Sequence, residues 1–181
     1  MKTLKTDRLI LRNWVESDID DLYEYAKVEG VGEMAGWLHH TSIDISKEIL
    51  ADFIANDEVY AVVMKESNKV IGSLGVHNRS RVSNYQNDIQ REIGYVLNKE
   101  YWGSGLMPEA VREVIKYAFD ELSVDVLWCA HFTTNQQSKR VIEKSGFRYH
   151  CDGIYESIGL KKSFEEKIYI MTKADYKTRY R

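Results

Sequence analysis

Gly103 and Gly105 stand between a strand-like run, Glu92-Ile93-Gly94-Tyr95-Val96-Leu97, and a segment, Leu106-Met107-Pro108-Glu109-Ala110, that reads as the first turn of a helix. Glycine reaches backbone angles closed to other residues. A turn built on this pair can therefore aim successive peptide N–H groups at one point, and the helix that follows adds the positive end of its dipole. Capture of a phosphate-like anion is the chemistry that fits. Pro108, the only proline of the chain, suits this place, because the first helical turn has no acceptor for the N–H that proline lacks.

Several nucleotide pockets use such a turn, and two of them fail on residues. The P-loop needs GxxxxGK followed by Ser or Thr, and no such string occurs. The dinucleotide fingerprint needs a third glycine where Pro108 stands, and its strand opens a βαβ unit, whereas the strand here lies mid-chain among antiparallel hairpins. A metal is not expected either: His131 and His150 are isolated, and no His/Cys/Asp/Glu group has ligand spacing. The two cysteines, Cys129 and Cys151, are too few and too far apart for a disulfide scaffold or a CxxC site, and read as ordinary reduced thiols.

The elements that must position the turn follow from periodicity. Arg8 to Arg12 alternates as a first strand, and Ser17 reads as the N-cap of a helix carrying Ile19, Leu22, Tyr23 and Ala26 on one face. Ser46 reads as the cap of a second helix with Ile49, Leu50, Phe53 and Ile54 at helical spacing. Between them Glu29 to Ile45 is irregular, a long loop of the kind that often carries function. Val59 to Met64 and Val70 to His77 form a hairpin across the polar turn Lys65 to Lys69. After the polar stretch Asn78 to Asp88, Ile89 to Leu97 adds a third antiparallel strand. Val111, Val114, Ile115, Ala118, Phe119 and Leu122 then form an apolar stripe for a helix lying on the sheet. Val124 to Phe132 is a strand, and Asn135 to Ser145 a helix ended by Gly146 in a left-handed cap. Strands near Phe147 to Cys151 and Glu166 to Lys173 and a charged terminal helix over Lys173 to Arg181 close the pattern.

At 181 residues with 44% hydrophobic content and 11 glycines, the chain is expected to form a single α/β domain over residues 1–181. Its net charge of −3 supplies no basic field, so nucleic-acid binding through phosphate neutralisation is excluded as a main activity. The N-terminus is broken by charges before any signal-type apolar core, and no run approaches the ~20 apolar residues of a membrane span, so a cytoplasmic location is expected.

The stretch Trp102-Gly103-Ser104-Gly105-Leu106-Met107-Pro108-Glu109-Ala110 behind Glu92 to Leu97 resembles the acetyl-CoA-binding segment of GNAT-superfamily N-acetyltransferases, in particular the RimJ/RimL-like branch that modifies ribosomal-protein N-termini. Asn135-Gln136-Gln137-Ser138 with Lys144-Ser145-Gly146-Phe147 resembles that branch's Asn-x-x-Ser…Lys-x-Gly-Phe element, and Thr6 to Arg12 its N-terminal strand. The resemblance spans about Thr6 to Met171. Trp102 agrees with the branch, and Met107 departs from the Gly or Ala usual there. The resemblance implies a mixed, largely antiparallel central sheet with a splay, flanked by helices. It also implies acetyl-CoA as donor, lying between Tyr95 to Leu97 and Leu127 to Phe132, with its pyrophosphate over Trp102 to Met107. Asn135 and Ser138 border the same cofactor site. Phosphate binding would rest on backbone N–H groups rather than on a side-chain cation.

The implied reaction is direct attack of a neutral amine on the thioester. It needs proton removal, an oxyanion donor and protonation of the leaving thiolate. A backbone N–H near Val96 or Leu97 is the expected oxyanion donor. Ser138 is the expected donor to the thiolate, with Tyr95 or Tyr149 as fallbacks; the alternative is an ordinary polar residue of a helix first turn. Glu92 shares a strand face with Gly94 and Val96 by period-two alternation, which makes it the leading base, and His77 at the end of the neighbouring strand is second. Both also read as plain strand residues. Trp37, His39 and His40 are expected to bind the acceptor. The acceptor itself stays open between a protein N-terminal α-amine and a small polyamine, amino acid or aminoglycoside-like amine. Asp18, Asp20, Asp21 and Glu24 would favour a cationic one if they face the cleft. Tyr149, Tyr155, Tyr169, Tyr176 and Tyr180 read mainly as core, with an acceptor groove or homodimer surface as the other use. A non-catalytic acyl-CoA-binding module is the competing class.

Overall fold

A computed structural model describes residues 1–81, 85 and 88–180. Part of the polar connection expected over Asn78 to Asp88, and Arg181 at the end of the expected terminal helix, lie outside them. The strands are β1 (Leu4–Lys5), β2 (Leu9–Arg12), β3 (Val59–Met64), β4 (Val70–His77), β5 (Gln90–Leu97), β6 (Val126–Phe132), β7 (Arg148–Ser157) and β8 (Lys162–Thr172). The helices are α1 (Ile19–Ala26), α2 (Ile43–Asn56), α3 (Leu106–Asp120), α4 (Gln136–Lys144) and α5 (Lys173–Tyr180).

The strands join in one sheet, in the order β1-β2-β3-β4-β5-β6-β8-β7. Every neighbouring pair is antiparallel except β5 and β6. That exception follows from connectivity: α3 crosses over between β5 and β6, and a helical crossover returns the chain parallel to its start. One face of the sheet packs on α3, whose buried stripe includes Val111, Val114, Ile115, Ala118 and Phe119. At roughly 1.5–3 kcal/mol for each fully buried large apolar side chain, this stripe holds α3, and with it the glycine turn, in place. The other face is covered over β2 to β4 by α1 and α2, through Leu22, Tyr25 and Leu50, together with Trp14 from the connection after β2.

Four local expectations are corrected. Ser17 lies inside a short 3-10 turn, Glu16–Asp18, and α1 starts after it. Ser42 in extended geometry precedes α2, while Ser46 lies inside the helix, buried, with its hydroxyl 2.6 Å from Nδ1 of His40. Leu122 falls beyond the end of α3 and is exposed. The β7–β8 hairpin is longer than its apolar residues indicate, running to Ser157 and from Lys162, because its outer half alternates with polar residues and pairs as an exposed ribbon. Gly146 takes the expected left-handed conformation, φ 89°, just past α4.

Candidate active site

The β5–β6 ladder is short. It pairs Gln90 with Val126, Arg91 with Leu127 and Glu92 with Trp128, and there it stops. Beyond that point the strands diverge, and a cleft of about 450 Å³ opens between Ile93–Leu97 and Ala130–Phe132. The backbone of β5 in this stretch is divided by register. The Asn98 N–H donates to the Ile71 carbonyl of β4, and the β4–β5 pairing runs unbroken from Gly72–Leu97 to His77–Glu92. Alternation therefore turns the N–H of Val96 toward β4 and those of Tyr95 and Leu97 toward the gap. Of the two expected oxyanion donors, Leu97 has its N–H on the cleft side. Its carbonyl accepts a hydrogen bond of 2.8 Å from the Trp102 indole.

At one end of the cleft lies the glycine turn. Gly103 and Gly105 both have φ 78°. Among the described residues no acceptor engages the N–H groups of residues 103 to 107, which lead into the start of α3. Such a cradle fits an anion bound by backbone donors and a helix terminus. The turn is braced from behind. Glu109 accepts from the Arg8 backbone N–H at 2.9 Å and from Arg8 Nε at 2.7 Å, and also from the Thr6 hydroxyl. Arg8 Nη1 donates to the Ser104 carbonyl at 3.0 Å. Burial works against the Glu109 carboxylate, yet these donors hold it below its ordinary range. A cation thus stands next to the turn on the side of Arg8, where the Ser104 carbonyl meets it, while the Ser104 hydroxyl donates to the Tyr101 carbonyl.

Midway along the cleft Tyr95 Oη lies 2.9 Å from Ser138 Oγ and 3.1 Å from the Ser138 carbonyl. The phenol has one proton. Given to the carbonyl, it leaves the serine hydroxyl as donor to Oη, so the two side chains form a short relay. Burial pushes Tyr95 well above its ordinary value, Cys129 adds to this, and the Ser138 hydrogen bond opposes it. Tyr149, the other tyrosine considered, is exposed and donates to Asp152 at 3.0 Å, outside the cleft. Asn135 borders the cleft, but its amide is committed: Oδ1 caps α4 by accepting from Ser138 N at 3.0 Å, and Nδ2 donates to the Met34 carbonyl at 3.2 Å.

The far end carries charge. Glu92, 7% exposed, pairs through Oε1 with Arg81, which also donates to Glu166 Oε1 at 2.7 Å. Arg81 so ties β5 to β8 across β6. Glu166 is 3% exposed, and burial raises its carboxyl above the ordinary range while Arg81 opposes. Glu92 Oε2 is buried, lies 3.3 Å from Arg79 Nε, and accepts no hydrogen bond among the described residues. His77 also lines the cleft. Its ring folds over Gly75, where a Cβ would lie 2.2 Å from Nε2, so only glycine admits the ring there.

The loop between α1 and α2 reaches the cleft through Val31, Met34 and Ala35, not through Trp37, His39 or His40. His39 Nδ1 is 2.7 Å from Glu33 Oε1, and His40 packs on Trp37. Burial opposes ionisation of Glu33, but hydrogen bonds from His39 and from the backbone of His39 and Gly30 hold it down to about 2. These residues brace the loop. Asp18 pairs with Arg12, Asp21 accepts from Val70 N, and Glu24 binds Lys69, so none of the three faces the cleft.

Arg79, Arg81 and Glu166 line the cleft and were not singled out from the sequence; Tyr155, read mainly as core with an acceptor groove as its other use, lines it too. A signal existed for Glu166: it alternates with Ile168 and Ile170, which places it on a core face. Arg79 and Arg81 flank Ser80 just past β4, where nothing apolar marks a face.

A family profile described as "Acetyltransferase (GNAT) domain" matches residues 8–148. "Uncharacterized N-acetyltransferase YoaA" of Bacillus subtilis is 27% identical over 150 residues, covering 80% of this chain and 82% of the relative. The crystal structure of an acetyltransferase (GNAT family) from Bacillus anthracis superposes with a TM-score of 0.80 at 20% identity, over 96% of this chain and 99% of that one. A ribosomal-protein-S5-alanine acetyltransferase from Vibrio fischeri superposes with a TM-score of 0.73 at 19% identity, over 97% and 99% of the two chains.

Proposed function

The chain belongs to the GNAT acetyltransferase family, acetyl-CoA-dependent N-acetyltransferases of amines, and from that premise we propose how its own residues divide the reaction and which amine it takes. The observation that carries the proposal is the linear order of the cleft. The N–H cradle of residues 103–107, the Tyr95–Ser138 pair and the bare Oε2 of Glu92 follow one another along the gap left where the β5–β6 ladder ends. Anion, sulfur and amine would lie in that order.

Acetyl-CoA supplies a thioester whose acyl carbon is open to a neutral amine and whose sulfur departs as thiolate. The chain's residues do the rest. The turn holds the pyrophosphate through backbone donors, which bind a concentrated anion without burying an unpaired lysine. The Leu97 N–H, aimed into the gap, stabilises charge developing on the carbonyl oxygen. Tyr95 turns its proton from the Ser138 carbonyl to the departing sulfur, while the Ser138 hydroxyl donates to Tyr95 Oη and supports it there. A phenol raised by burial is a weak acid, so it gives up its proton only as the carbon–sulfur bond breaks and the sulfur becomes basic. Glu92 Oε2 accepts the hydrogen bond of the incoming amine and takes its proton, directly or through water, with His77 beside it. No bond to enzyme forms.

An α-amine is the acceptor this arrangement favours. Its pKa is about 7.7–8.0 against about 10.4 for a lysine amine, so a carboxylate partly committed to arginines suffices to deprotonate it. The resemblance to the RimJ/RimL-like branch, and the ribosomal-protein alanine in the name of the Vibrio fischeri neighbour, support the same choice. The test is thiol release from acetyl-CoA across peptides and small amines, with CoA binding measured in parallel by calorimetry. Release that depends on α-amines supports the reading, release confined to side-chain amines or polyamines transfers it to those, and binding without release across the panel makes the chain a non-catalytic acyl-CoA module.

A further inference from the structure

The acceptor end of the cleft carries a charge pattern that acetyl transfer by itself does not require. Of its two arginines, Arg81 is buried, with its Nη atoms paired to Glu92 and Glu166 and its Nε without a hydrogen-bond partner among the described residues. Arg79 is the more exposed of the two. Its side chain is 49% exposed, its Nε lies 3.3 Å from Glu92 Oε2, and its guanidinium stands 5.9 Å from the centre of the Tyr155 ring. Among the described residues no acceptor engages its two Nη atoms. Glu92 Oε2, next to it, is buried and accepts no hydrogen bond among the described residues. A bare carboxylate oxygen and the open edge of a guanidinium thus lie side by side on one wall of the same cleft.

Nε and both Nη atoms belong to one rigid planar fork. An amine resting on Oε2 therefore leaves the Nη edge within reach of whatever its own carbon, or the next one, carries. The group that a guanidinium edge matches best in a small apolar-walled space is a carboxylate, held by two parallel N–H bonds. Tyr155 and Phe132 supply such walls.

We propose that the acceptor is an amine with a carboxylate close to it, of the α-amino-acid type, with Arg79 binding the carboxylate and Glu92 the amine. This rests on the acetyltransferase reading above and narrows it. Polyamines and aminoglycoside-like amines, which bring only positive charge to Arg79, are disfavoured. The carboxylate has two sources, a free amino acid or the side chain of an N-terminal Asp or Glu in a peptide.

The experiment measures kcat/KM with saturating acetyl-CoA for two matched series: L-phenylalanine against L-phenylalaninamide and phenethylamine, and amidated peptides beginning Asp-Ala against Asn-Ala. We expect the carboxylate-bearing member of one series to exceed its neutral partners by about tenfold or more, the effect of one charge-assisted contact, and that series names the source. Arg79→Gln should bring the ratio near one by slowing only the carboxylate acceptors, Arg79→Lys should keep part of it, and CoA affinity should not change. Neutral partners turned over as fast, a ratio that survives Arg79→Gln, or preference for O-phosphoethanolamine over every carboxylate would overturn the proposal. The wild-type ratios decide this even where the variant is unstable. Turnover of neutral amines alone sinks the carboxylate assignment and leaves the acetyltransferase standing, whereas CoA binding with no thiol release from any acceptor removes both.

Discussion

Replacing Gly105 by valine tests the anion turn at its most exposed assumption, that backbone angle rather than side-chain space makes the site. Gly105 has φ 78° and is the residue just before α3. A Cβ built there would meet only Arg8 Nη2, at 3.7 Å, an ordinary contact. Space is not the obstacle. An L-residue in the left-handed region costs about 1–2 kcal/mol, and a β-branched one lies at the upper end. At about 2–4 °C per kcal/mol for a chain of this size, Tm should fall by roughly 2–8 °C. The larger effect is on binding. Relaxing φ to a negative value rotates the peptides on either side and swings their N–H groups away from the focus. A hydrogen bond to a charged group contributes about 1.5–3 kcal/mol, so misaligning two costs at least about 3 kcal/mol, a factor of roughly 100 in CoA affinity. Gly105→Asn is the control, because asparagine tolerates the left-handed region and should keep most of both stability and affinity. Calorimetric titration with CoA and a thermal melt read the two quantities. Native affinity in Gly105→Val, or equal loss in Gly105→Asn, refutes the reasoning.

Ser138→Ala and Tyr95→Phe should each lower kcat by about ten- to a hundredfold with acetyl-CoA affinity nearly unchanged, as expected for groups that act on the departing sulfur; steady-state kinetics with calorimetry checks this, and native turnover in either removes that residue from the role. Glu92→Gln should lower kcat more at pH 7 than at pH 9, where an α-amine deprotonates unaided, and a uniform loss across pH would assign Glu92 to positioning instead. Arg81→Met leaves two buried carboxylates facing each other and should destabilise by about 3–5 kcal/mol in urea unfolding, with part of the loss recovered by adding Glu166→Gln. For Glu33 the folded pKa of about 2 lies below the ordinary 4.5, so its contribution is complete above pH 4.5 and fades as pH falls through about 2. Solvent screens this partly exposed carboxylate, so Glu33→Gln should lose roughly 1 kcal/mol at pH 7 and little near pH 2, and melts that differ from wild type by the same amount at both pH values would contradict it.

How much of this site was legible beforehand varied with the range of the interaction. The glycine turn, the α3 stripe, the hairpin of β3 and β4 and the left-handed Gly146 rest on neighbours within a few residues, and the structure reproduces them. Glu92 reaches the cleft wall as period-two alternation requires, but its partners Arg79 and Arg81 come from beyond β4 and Glu166 from β8. His39 and His40 had the right residue type for acceptor binding, yet Glu33 and Ser46 hold them inside the loop. Ser46 is the matching miss: a serine before an apolar run is a cap by pattern, and here the helix begins earlier, at Ile43, so the hydroxyl turns to His40.

By itself the sequence determined the elements and the anion turn, because backbone repeats of 3.6 and 2 residues and the angles open only to glycine are local properties. The tertiary structure alone decided where the β5–β6 ladder breaks, which carboxylate oxygen is left bare, and which arginine keeps an open edge. Those outcomes depend on charges from three distant segments competing for one another inside a shared low-dielectric space, a competition that no spacing along the chain records.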